Sequence, residues 1–195
     1  MDYIEQLKRE VHKLQLVSDN SLSEFVQLFK IEEFRKHDYF SVEGTYPRKV
    51  SFVCDGIFRI YYTNNNGDEW NKHFVVNNEF ISAGINVKNK SIITIQALTD
   101  VVCLTTSVDR LIALSENNTE IETLIQKLIH RVWEKEQQKE LLLLSNNAKE
   151  RYLNFNQNFP ELKNHIPHFH IASYLGITPT QLSRVRKKIK SHQQM

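Results

Sequence analysis

The chain has 195 residues and a formal net charge of +2, with 41% hydrophobic and 25% charged residues, a composition that supports a packed core and excludes wholesale disorder. No apolar run approaches the roughly 18 residues of a membrane helix, and the acidic start at Asp2 and Glu5 lacks the apolar stretch of a secretory signal. The charge is unevenly spread: residues 1–148 carry 17 Lys/Arg against 21 Asp/Glu, whereas residues 149–195 carry 8 against 2, so a mildly acidic body bears a basic C-terminal module suited to a polyanion.

In chain order, Ile4, Leu7, Val11 and Leu14 recur at spacings of three and four and predict an amphipathic helix over 3–17. Ser21-Leu22-Ser23-Glu24 has the form of a capping box and starts a second short helix with Leu22, Phe25, Val26 and Phe29 on its apolar face. From about 32 to 108 the chain is rich in Val, Ile, Thr, Tyr and Phe and is broken by turn residues. Strands are expected at Val50–Val53 and Ile57–Tyr62 around Asp55-Gly56, and Asn64-Asn65-Asn66-Gly67-Asp68 predicts a hairpin into Trp70–Val76. A further pair, Ile92–Leu98 and Val101–Thr105, flanks Thr99-Asp100; many short strands at this spacing predict a sandwich or barrel. Cys54 and Cys103 fall inside these strands. They are too few for a disulfide framework, an iron–sulfur site or a zinc finger, and read as small buried hydrophobes in a reducing cytoplasm.

Helical periodicity follows over 107–145. Ile121, Ile125, Leu128 and Val132 take the four-three-four spacing of a self-association seam, interrupted by Lys135 and Lys139 and resumed at Leu141–Leu144. The expected division is a β-barrel with N-terminal helices over 1–110, a long dimerisation helix over 111–147 and a DNA-binding domain over 148–195.

The most specific segment is 168–187. Ile171, Leu175, Ile177, Leu182 and Val185 can pack inward from two short helices, Ala172 is small where they cross, and Gly176 supplies the positive φ of the turn. Thr178 is a ready N-cap and Pro179 a favoured first helical residue, so a second helix is predicted over 179–190. Its first turn presents Thr178, Pro179, Thr180 and Gln181, with Ser183 and Arg184 on the accessible side. Short polar groups and an arginine in this position suit base edges of a major groove. Arg186, Lys187, Lys188 and Lys190 then lie where phosphates can be neutralised.

The order of a β-rich domain, a long helix and a C-terminal helix-turn-helix resembles the Crp/Fnr family of bacterial transcription regulators. The resemblance is carried by Glu150–Phe155, Phe159–Leu162, Ile166-Pro167, Ile171–Pro179 and Leu182-Ser183-Arg184, and more loosely by Glu43-Gly44, Val53–Gly56, the Gly67 hairpin and Ala97–Asp100. It implies an α+β chain with a cyclic-nucleotide-binding-like jelly roll, a dimerisation helix and a winged-helix-like helix-turn-helix. It also implies a homodimer on an inverted-repeat site in double-stranded DNA, with RNA polymerase as a further partner. Carried over, Pro179, Thr180, Ser183 and Arg184 face base edges, and Thr178, Gln181, Lys187 and Lys188 contact the backbone.

Two departures stand out. Where the family holds a cyclic phosphate with a Gly-Glu pair and an arginine, this chain has Ser82, Ala83 and Ser91, with Lys90 as a point charge that does not replace a bidentate guanidinium. Cyclic AMP is therefore not expected, the effector is unassigned, and His37 and His73 are too isolated to suggest haem. Only Ser191–Met195 follow the recognition helix, so the wing is expected to be truncated. No phosphate loop, His-Glu-x-x-His spacing or nucleophile elbow points to an enzyme. The competing reading is a small-molecule-binding module whose basic terminal helix serves a protein partner.

Overall fold

The computed structural model describes residues 2–84 and 86–192; Ile85 and residues 193–195 lie outside it. Two compact units are formed. One takes the chain up to Tyr62 together with His73–Val132, the other Thr63–Lys72 together with the chain from Trp133 onward.

The first unit begins with α1 (Tyr3–Leu14) and α2 (Asp19–Gln27). The cap of α2 is Ser18, not the expected Ser21: the Ser18 hydroxyl accepts from Ser21 N and donates to Glu120 at 2.6 Å, while the Ser21 hydroxyl accepts from Asn118 Nδ2. Among the described residues eight strands follow in the chain: β1 (Lys30–Phe34), β2 (Tyr39–Ser41), β3 (Lys49–Asp55), β4 (Phe58–Thr63), β5 (Glu69–Val75), β6 (Glu79–Ser82), β7 (Thr94–Ala97) and β8 (Val101–Ser107). They form two four-stranded antiparallel sheets, ordered β1-β8-β3-β6 and β2-β7-β4-β5. Gly56 joins β3 to β4 at φ +103°, and a Cβ there would stand 2.4 Å from the Asp100 carbonyl, so the turn admits no side chain.

Alternation along the strands sends each sheet's side chains two ways. Phe34, Val53, Val101 and Cys103 of the first sheet meet Phe58, Ile95 and Ala97 of the second in the interior, where Phe34, Phe40 and Phe58 stack with centroids 5.4–5.8 Å apart. The opposite face of the first sheet, with Val50, Phe52, Cys54 and Leu104, is covered by helices α1, α2, α3 (Val108–Asn117) and the start of α4 (Thr119–Ser145). Burial pushes the thiols of Cys54 and Cys103 up to about 11 and about 12, which keeps both in the neutral form.

The single helix expected over 111–147 is two helices. Asn118 breaks them, and its Oδ1 accepts from the Glu120 and Ile121 amides. Ile121 is also corrected: it is fully buried in the chain's own core beside Leu124, and Ile125 and Leu128 are half-buried against the same core. The first part of the presumed seam is thus covered by the barrel's helices. The exposed apolar positions of α4 lie further along, at Ile129, Val132, Trp133, Leu141 and Leu144.

Candidate nucleic-acid interface

The second unit continues with α5 (Ala148–Asn158), α6 (Leu162–His165), α7 (His168–Tyr174) and α8 (Pro179–His192). Asn147 and Glu150 close a reciprocal capping box at the start of α5. Tyr152, Phe155, Phe159, Leu162, Ile166 and Ile171 form the core with Ala172, Leu175 and Leu182, and the rings of Phe155, Phe159 and Tyr174 meet at 5.4–5.9 Å. Gly176 adopts φ +66° between α7 and α8, the left-handed geometry the sequence asks of it.

At α8, Gln181 N donates to Thr178 Oγ1 at 3.1 Å and Thr178 N donates to Gln181 Oε1 at 2.9 Å. This reciprocal box satisfies two helix-start amides and fixes the direction in which α8 leaves the turn. It also engages the Gln181 carbonyl oxygen, leaving its amide nitrogen as the group able to reach outward. Leu182 is the anchor, 1% exposed, while Thr180, Ser183, Arg184, Lys187, Lys188 and Lys190 are on the exposed side. The expected contact residues therefore share one outward face of a helix held from beneath.

Sequence reasoning did not single out His168 in this role. Arg186 Nη1 lies 2.6–2.7 Å from the ring nitrogens of His168, so the guanidinium of α8 is held against the start of α7. A shallow groove of about 320 Å³ runs there, between His168, Pro179, Ser183, Arg186, Lys187 and Lys190. It is open and cationic, suited to a phosphate rather than to an enclosed ligand.

Two further residues hold the helix pair in place. Arg151 on α5 donates Nη2 to Leu143 O at 2.8 Å, Nε to Asn146 O at 2.9 Å and Nη1 to Leu175 O at 3.0 Å. It ties the end of α4 to the end of α7. Lys139, read from sequence as an interruption of an apolar seam, lies 4.0 Å over the Tyr174 ring and donates to the carbonyls of Asn71 and Lys72 in the β4–β5 hairpin. Burial pulls its ammonium down to about 8, opposed by Glu136 and reinforced by Lys72. Asn71 extends the clasp: its amide nitrogen donates to His170 O at 3.0 Å and its backbone N–H donates to Ser173 Oγ at 2.9 Å. Apart from Asn146 and Glu136 these partners are distant in sequence, so no local pattern announces them.

The expected ligand positions are engaged otherwise. Ser82 Oγ donates to backbone carbonyls of Lys49 and Gly84, Ser91 is buried and donates to Ile93 O, Ala83 packs on the apolar interior, and Lys90 faces the Tyr46 ring at 5.9 Å. Buried Arg59, which the sequence reading passed over, donates Nε and Nη2 to Gln96 Oε1 and stacks at 3.9 Å on Tyr61. Among the described residues no group of three His, Cys, Asp or Glu stands ready for a metal, and no helix is long and apolar enough to cross a membrane.

No protein-family model and no curated protein matches the chain. Solved structures do. FixK2 from Bradyrhizobium japonicum superposes with a TM-score of 0.76 at 17% identity, over 84% of this chain and 85% of that one. CLP, the c-di-GMP-responsive global regulator of Xanthomonas campestris, gives 0.70 at 14% identity over 90% and 93%. This is the Crp/Fnr-like fold. A CooA mutant from Carboxydothermus hydrogenoformans shares it, with a TM-score of 0.68 at 16% identity over 86% of this chain and 79% of that one. Within the Crp/Fnr-like fold, helices α7 and α8 are the helix-turn-helix expected from residues 168–190.

Proposed function

We propose that the chain is a sequence-specific, double-stranded-DNA-binding transcription regulator that acts as a homodimer and has no enzymatic role. One observation carries the reading: α8 is capped at Thr178, anchored at Leu182 and presents Thr180, Ser183 and Arg184 ahead of a run of basic residues on one exposed face. A major groove admits such a helix, with Pro179, Thr180, Ser183 and Arg184 toward base edges. Arg184 grips guanine, and Thr178, Gln181, Lys187 and Lys188 meet the backbone. Self-association uses exposed apolar residues of α4, with Val132 from the sequence-read seam joined by Ile129, Leu141 and Leu144, and with the half-buried Ile125 and Leu128 beside it. The apolar interior and the occupied hydroxyls of Ser82 and Ser91 support a barrel that does not take cyclic AMP.

The test is selection from random duplex DNA by the purified chain, followed by sequencing. Enrichment of an inverted repeat is expected. Binding without any sequence preference would overturn the reading and favour a protein partner for α8.

A further inference from the structure

The first unit carries a second cationic feature, remote in sequence from α8. A groove of about 260 Å³ is lined by Leu28 after α2, Lys30 of β1, Lys49 of β3, Thr105, Thr106 and Ser107 of β8, and Arg110 of α3. The sheet register explains why they meet. Lys30 pairs with Thr105, and Lys49 pairs with Ser107, so both lysines and two hydroxyls project from the same end of one sheet face. The chain then turns into α3, whose N-cap Ser107 accepts from Arg110 N at 3.3 Å and whose positive dipole end adjoins the groove.

The charges do not cancel. Lys49 pairs with Glu32, whereas the Lys30 and Arg110 side chains make no ion pair among the described residues, and Asp109 is not in the lining. Three cations against one carboxylate leave two positive charges. This occurs within residues 1–148, which are acidic as a whole. Thr106 also lines the groove, but it pairs with Val50, so its buried side chain projects from the opposite, helix-covered face of the sheet.

We propose that this groove binds a small phosphate-bearing anion. Two net positive charges match a phosphate dianion, Arg110 offers a planar fork for its oxygens, and Lys30 and Lys49 add point charge. The groove is slightly smaller than sites for drug-sized ligands, about 300–1,000 Å³. It therefore suits free phosphate or a short phosphomonoester rather than a nucleotide.

The test is an amide NMR titration of the full chain with inorganic phosphate and, separately, with 2-phosphoglycolate, at ionic strength held constant with chloride. Saturable shifts at residues 105–110 and around Lys30 are expected, with binding weakened at least about tenfold in Arg110→Gln. Lys30→Gln removes a lining cation and is expected to weaken binding several-fold. Tighter binding of 2-phosphoglycolate marks an ester as the ligand, and equal binding marks free phosphate; either supports the site. Shifts confined to α8, shifts that never saturate, or saturable binding indifferent to both substitutions would overturn it, and none of these results would bear on DNA selection by α8.

Discussion

Lys139→Met removes a buried ammonium, and its consequence for stability can be worked from the structure. An ordinary lysine titrates near 10.5, but burial holds this one at about 8 in the folded chain. Between those values the unfolded chain binds more protons than the folded one, so stability rises with pH across this window; below about 8 both states are charged and the penalty is fully present. From pH 7 to pH 9 the relief amounts to ~1.4 kcal/mol. The cysteines act in the opposite sense: their folded values of about 11 and about 12 exceed the ordinary 9.0, so they stabilise below 9 and that stability is lost as pH rises. Comparing wild type with Lys139→Met at each pH cancels that contribution. The assay is urea denaturation followed by tryptophan fluorescence, which reports the second unit because both tryptophans, Trp70 and Trp133, lie in it. The difference between wild type and variant should shift toward wild type by ~1.4 kcal/mol between pH 7 and pH 9. A difference independent of pH would refute the buried clasp.

Other outcomes follow from the same geometry. Arg184→Ala should cost about 1–3 kcal/mol on the selected DNA sequence and relax preference at one base position, measured by fluorescence anisotropy; an equal loss on all sequences would make Arg184 a phosphate contact. Val132→Asp combined with Leu144→Asp should raise the dimer dissociation constant at least about tenfold in analytical ultracentrifugation while the fold persists, whereas Ile121→Asp should unfold the first unit. Arg151→Met leaves three backbone carbonyls without their donor and should destabilise the second unit by about 2 kcal/mol in urea denaturation. Gly176→Ala meets nothing closer than 3.5 Å, so it should cost only the ~1–2 kcal/mol of the left-handed backbone, while Gly56→Ala, facing a carbonyl at 2.4 Å, should cost more.

Short-range chemistry accounts for everything that could be read along the chain. The apolar spacing around Ala172, the left-handed turn at Gly176 and the Thr178-Pro179 start settle the helix-turn-helix, because caps and turns are decided by residues within one helical turn. The alternating β region and its Asp55-Gly56 and Asn66-Gly67 turns are legible for the same reason. Which partner covers an apolar stripe is not a local property. Periodicity marked Ile121 as part of a seam, but only the packing of α1 and α2 against the first sheet decided that it belongs to the chain's own core. Lys139 looked like an interruption because its carbonyl partners are 67 and 68 residues away. Arg151 was quoted as part of a motif without its task, since the three carbonyls it gathers come from the ends of two other helices. Lys30, Lys49 and Arg110 were three unremarkable surface charges until the β1–β8–β3 register brought them to one end of a sheet. Tertiary structure decided these points because Coulomb forces and desolvation act on distance in space, which the fold sets and sequence separation does not.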